Sequence, residues 1–123
     1  MQDCIFCKII DHKIPAEIIY EDETSLAFLD INPRTKGHIL VIPKKHFTNL
    51  TDFPSSLAKE LIEFSKETSI KVLKVVKTTD FNFSINNGKF SGQEVFHAHF
   101  HIIPRFKDDK LANWPKSPSS NEL

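Results

Sequence analysis

The chain has 123 residues and a mass of 14.1 kDa, room for one domain built on one core. Hydrophobic residues at 40% and charged residues at 26%, with 11 Phe, exclude a disordered chain. The 16 basic and 16 acidic residues cancel to a formal charge of +0, which excludes a nucleic-acid or membrane partner held by bulk charge.

Met1-Gln2-Asp3-Cys4 lacks the basic and apolar regions of a secretory leader, and no apolar run reaches the ~18 to 20 residues of a membrane span, so a cytoplasmic protein is expected. Cys4 and Cys7 are too few and too close for the disulfide framework of a secreted mini-protein and suit a reducing compartment. Residues 17–21 read as a short strand before the turn at Asp22-Glu23, and residues 25–29 as a second. Asp30-Ile31-Asn32-Pro33 breaks that strand, and after Gly37 the β-branched run 38–43 forms a third, closed by Pro43.

From residue 54 to 77 the period changes: Leu57, Leu61, Phe64, Thr68, Val72 and Val76 recur every three or four residues with lysines between them. This is one long amphipathic helix covering a sheet face, with Asp52 or Ser55 as its cap. Residues 81–86 alternate like a half-buried strand, residues 87–92 form a loop carrying Gly88 and Gly92, and residues 95–104 form the last strand. Residues 1–106 are read as the domain and 107–123 as a polar, proline-punctuated tail, loosely ordered apart from Trp114. Strands, one helix, then strands is an α+β order.

His97, His99 and His101 occupy every second residue of that last strand and so share one face, with Ala98, Phe100 and Ile102 on the other. At ~3.3 Å per residue the outer two stand ~13 Å apart, too far for one ion to take all three. Three titratable, poorly β-forming rings on one face would cost burial or repulsion for no gain unless they act. Imidazole is a nucleophile toward phosphorus when one ring nitrogen is oriented and the other faces the substrate. The middle ring, His99, is the natural candidate, and the loop carrying Asn86, Gly88, Gly92 and Gln93 adds donors for an anion.

The run His97-Ala98-His99-Phe100-His101-Ile102-Ile103 resembles the signature of the histidine triad (HIT) superfamily, in its Hint-like nucleotide hydrolase branch. Cys4-Ile5-Phe6-Cys7, Ile14-Pro15-Ala16, the segments 26–33 and 37–46, and Gly92-Gln93 match in family order, so the likeness spans residues 4–106. The resemblance implies a nucleotide hydrolase or nucleotidyl transferase. It would cut at the α-phosphate of purine nucleoside phosphoramidates or dinucleoside polyphosphates and release AMP or GMP. His99 then corresponds to the nucleophile, and His101 and His38 to histidines assisting at the phosphate and in proton transfer. Gln93 and Asn86 match contacts to the α-phosphate region, Gly92 lies in the same loop, and Asp30 matches the carboxylate that binds ribose hydroxyls. Ile5, Phe6, Ile9, Phe28, Leu29 and Ile31 fall on positions lining the purine pocket. Glu94 departs from the pattern, standing where many Hint proteins carry serine near the leaving group; a carboxylate there repels a polyphosphate and favours a cationic amine.

For the Cys-x-x-Cys pair a thioredoxin-like reading lacks the strand before it and the β-α-β pattern after it, which leaves inert buried cysteines or zinc. The resemblance implies structural zinc held by Cys4, Cys7, His46 and His97. It also implies a five-stranded antiparallel sheet with one long and one short helix, paired in a homodimer as a ten-stranded sheet. The apolar helix face and Trp114 are candidates for that contact. Two other functions compete: a zinc-dependent hydrolase whose His-x-His pair holds a catalytic metal, and a nucleotide-binding interaction protein without turnover.

Overall fold

Asp22 makes the first reversal: its Oδ1 accepts from the N–H groups of Thr24 at 2.9 Å and Ser25 at 2.8 Å. The turn joins β1 (Ile18–Glu21) to β2 (Ser25–Leu29). In the computed structural model, which describes residues 3–115, these strands continue into β3 (Ile39–Pro43), β4 (Asp80–Ile85) and β5 (Phe100–Arg105). The five form one antiparallel sheet in the order β1-β2-β3-β5-β4. Two helices accompany it, α1 (Ile5–Ile10) and α2 (Ser55–Val76). Residues 116–123, the second half of the expected tail, lie outside the described residues.

Alternation along the strands divides the core into two layers. Ala27, Ile39, Val41, Phe100 and Ile102 face α2 and pack on Leu61, Phe64 and Val72. Leu26, Phe28, Leu40 and Ile42 face the other way, onto Phe6 and Ile9 of α1. Helix α1 is short, so it covers only the β2 and β3 end of that face. The β5 and β4 end is left open as the wall of a cleft. Among the described residues no helix is long and apolar enough to cross a membrane.

Gly37 sets the start of β3. Its φ is +86°, and a Cβ there would lie 2.9 Å from Cγ1 of Val76, so the approach of this turn to the end of α2 requires glycine.

Three details differ from the sequence reading. Helix α2 begins with Pro54 at the N-cap and no side-chain cap, while Asp52 closes a capping box with Asn49 on the preceding 3-10 turn. Strand β4 is an edge strand, exposed over most of its length, with Phe81 and Phe83 in contact with solvent. The last strand begins at Phe100, so His97 and His99 precede it: β3 ends on Pro43, which has no N–H to offer, and its pairing with β5 stops at Val41 and Phe100. Segment 95–99 is held instead by Ala98 N–H on the Phe47 carbonyl at 2.7 Å.

The chain beyond β5 is tied down by Arg105. Its guanidinium donates to Asp109, Asn82 and Asn113 side chains and to the Leu111 carbonyl. Those donors hold Asp109 well below the usual carboxylate range. Sequence alone offers no cue to this clasp, which joins Arg105 to four other positions, and Trp114, which the sequence reading singled out, is 84% exposed.

Candidate active site

Register lays the cleft out across four strands. Phe28 opposes Leu40, Leu40 opposes His101, and His101 opposes Ser84, so one row runs from an apolar end on β2 to a polar end on β4. One step along, the Asp30 N–H donates to the His38 carbonyl at 3.0 Å, and Ile103 opposes Asn82. The cleft encloses about 660 Å³. Its apolar end holds Ile5, Phe6, Ile9, Phe28, Leu29 and Ile31, joined by Leu40, which the sequence reading did not single out. His38, His99 and His101 stand in the middle with Asp30 beside them, and Asn86, Gly92 and Glu94 line the far side.

Gln93 is the candidate that the fold does not bring to the cleft. Its side chain is buried: Oε1 accepts from Gly88 N–H at 2.7 Å, and Nε2 donates to the carbonyls of Thr48 at 2.7 Å and Val95 at 3.1 Å. It pins the loop on both sides of Glu94 rather than facing a ligand.

Backbone groups fix the ring tautomers, because an amide N–H only donates and a carbonyl only accepts. Arg34 N–H donates to His38 Nδ1 at 3.1 Å, which puts the proton of neutral His38 on Nε2. His38 Nε2–H faces His101 Nδ1 at 2.9 Å, with Asp30 Oδ2 3.6 Å away, so His101 carries its own proton on Nε2. His99 Nδ1–H donates to the His97 carbonyl at 2.8 Å, which leaves the Nε2 lone pair of His99 free. Phe6 packs edge-on to His99 at 5.1 Å and keeps the ring in place. The Arg34 contact was invisible in sequence because it is made by backbone.

Burial keeps these rings neutral. It lowers His38 and His99 below the usual value and lowers His101 to about 4, where the neighbouring His99 and His38 add to the effect. A neutral imidazole with an oriented Nδ1–H and an open Nε2 is equipped to attack an electrophilic phosphorus, and a second imidazole with an Nε2–H is equipped to give a proton.

Behind the cleft lies the second cluster. His97 is fully buried, and its Nε2–H donates to the Pro43 carbonyl at 2.8 Å, which turns the Nδ1 lone pair toward the thiols. Nδ1 of His97 lies 3.3 Å from Cys4 Sγ and 3.6 Å from Cys7 Sγ, and His46 Nδ1 lies 3.4 Å from Cys7 Sγ. The four donor atoms all fall within 4.8 Å of one another. Tetrahedral zinc with these ligands has edges of roughly 3.3 to 3.8 Å, so the donors present fit that ion. Burial and the adjacent Cys4 thiol push the Cys7 thiol up to about 11, a cost that a divalent cation removes.

With this geometry established, three comparisons place the chain among known proteins. A family model described as "HIT domain" matches residues 11–108. A HIT-like protein of Methanocaldococcus jannaschii is 53% identical over 106 residues, 86% of this chain and 81% of that one. The adenosine 5'-monophosphoramidase HNT1 of Saccharomyces cerevisiae is 42% identical over 115 residues, 91% of this chain and 70% of that one. The crystal structure of a Zn-bound histidine triad family protein from Mycobacterium smegmatis superposes with a TM-score of 0.85 at 39% identity, covering 96% of this chain and 85% of its own. Matched over most of its length and carrying the triad in this arrangement, the chain belongs to the HIT domain family.

Proposed function

We propose that the protein is a nucleotide hydrolase or nucleotidyl transferase that cleaves at the α-phosphate of purine nucleoside phosphoramidates or dinucleoside polyphosphates through a nucleotidyl-His99 intermediate. The observation that carries this reading is the hydrogen bond from His99 Nδ1–H to the His97 carbonyl, 2.8 Å, which leaves Nε2 as a directed lone pair in the cleft. The yeast relative's name, adenosine 5'-monophosphoramidase, supports the substrate class.

In the first step His99 Nε2 attacks the α-phosphorus, an Nε2–P bond forms, and the bond from phosphorus to the leaving nitrogen or oxygen breaks. His101 gives its Nε2 proton to the leaving group, and His38 Nε2–H, 2.9 Å from His101 Nδ1, hydrogen-bonds to that ring until the second step returns the proton. In the second step water attacks phosphorus, its proton passes to His101, and the Nε2–P bond breaks to release the nucleoside monophosphate. The apolar end of the cleft stacks the purine, and Asp30 accepts from ribose hydroxyls through the oxygen that Asn32 N–H does not occupy. Asn86 donates at the phosphate, and Gln93 acts on that region as a positioning residue for its loop.

Two displacements at one phosphorus retain configuration, whereas direct attack by metal-activated water inverts it. With an adenosine 5'-phosphorothioamidate of defined configuration hydrolysed in isotopic water, the expected product shows retention. Inversion would move the chemistry to the metal-hydrolase reading.

Cys4, Cys7, His46 and His97 would hold a structural zinc, which supplies a closed four-ligand link between the start of α1, the segment after β3 and the segment before β5. We also assign the chain to a homodimer with a ten-stranded sheet. Support comes from the outer edge of β4, which has no partner strand among the described residues, and from the exposed Phe81 and Phe83 on it. Sedimentation at micromolar concentration should give twice the chain mass; a monomer would remove the assignment.

A further inference from the structure

Across the sheet the cleft changes from apolar to polar, and the change gives it a direction. With a base on the β2 side and the α-phosphorus at His99 Nε2, a leaving group extends over the β4 side. That side is lined by Asn82, Ser84 and Asn86, which are uncharged, and by Glu94.

The fixed charges near the cleft are few. No lysine lines it among the described residues. Arg34 lies in the loop between β2 and β3 that also carries Asp30, and its charge reaches His38 and His101. Arg105 is committed to Asp109, Asn82, Asn113 and Leu111. The Glu94 carboxylate is exposed and takes part in no ion pair or hydrogen bond among the described residues. Its backbone is nonetheless held, because the buried amide of Gln93 ties Gly88 on one side and Val95 on the other. An unpaired carboxylate on a fixed backbone in the wall of the cleft acts on whatever charge a leaving group carries across that wall.

We infer that Glu94 is a specificity-determining residue that selects leaving groups by charge. The site takes nucleoside phosphoramidates whose amine bears a further positive charge, and it disfavours anionic leaving groups, pyrophosphate chains included. This rests on the nucleotidyl-histidine reading above and narrows its substrate class to the first of the two named there.

The test uses three adenosine 5'-phosphoramidates of similar size that share the P–N bond and differ in distal charge: the mono-amides of ethylenediamine, propylamine and β-alanine, cationic, neutral and anionic. The kcat/KM ratio of cationic to anionic amide is measured for the wild-type protein and for Glu94→Gln, Glu94→Asp and Glu94→Lys. Differences in leaving-group basicity cancel between variants. The wild-type ratio should exceed that of Glu94→Gln by roughly 10- to 50-fold at low salt, and the excess should shrink as salt is raised. Glu94→Asp should keep the preference and Glu94→Lys should reverse it. If all three amides are cleaved and wild type and Glu94→Gln give ratios within about 2-fold of each other, charge selection is overturned while the hydrolase reading stands. If the wild type cleaves none of the three, the hydrolase reading falls and this inference falls with it.

Discussion

His99→Ala should lower kcat/KM for an adenosine 5'-phosphoramidate by about 10⁴-fold or more, with far-UV circular dichroism unchanged. The size of the effect follows from the arrangement around the ring. His99 Nε2 is the open lone pair that neutral His38 and His101 do not offer to the cleft, since Arg34 N–H holds His38 Nδ1 and His38 in turn engages His101 Nδ1. Without the His99 ring, water must attack the phosphorus with only His101 to assist. A loss of less than about 10-fold would show that another group carries the first step.

Removing the zinc ligands should have the second largest effect, on stability. Cys4 caps α1 through its Sγ, which accepts from Cys7 N–H at 3.3 Å, and serine also caps helices, so Cys4→Ser separates the metal from the cap. The expected outcome is loss of bound zinc by elemental analysis and a Tm lower by about 10 °C or more, because binding energy of a structural site is folding energy. The same variant should lower kcat more than it raises KM, because the residue that would hold the zinc, His97, also orients His99 through its carbonyl. Equal Tm for protein refolded with and without zinc would contradict the structural assignment.

Much of this was legible in local patterns. The 3.6-residue period located α2 to within one residue at each end. The spacing of the three histidines indicated a shared face, and Phe6 does contact both His97 and His99 edge-on, although neither lies on a paired strand. Where β5 begins was not legible, because it depends on where its neighbours stop: Pro43 ends β3, and β4 ends at Ile85 opposite Phe100. Gln93 could not be assigned from sequence either. Its amide is used up by three backbone groups from two loops, and only the folded chain brings Thr48 and Gly88 to it. The Arg105 clasp escaped for the same reason.

The most direct test of the central claim is intact-mass spectrometry after brief mixing with an adenosine 5'-phosphoramidate and a quench that avoids acid, since a phosphoramidate bond to imidazole is acid-labile. A protein species heavier by one adenylyl group, formed by the wild type and absent from His99→Ala, is the predicted result. Turnover by the wild type with no adduct at any mixing time, together with equal turnover by His99→Ala, would contradict it.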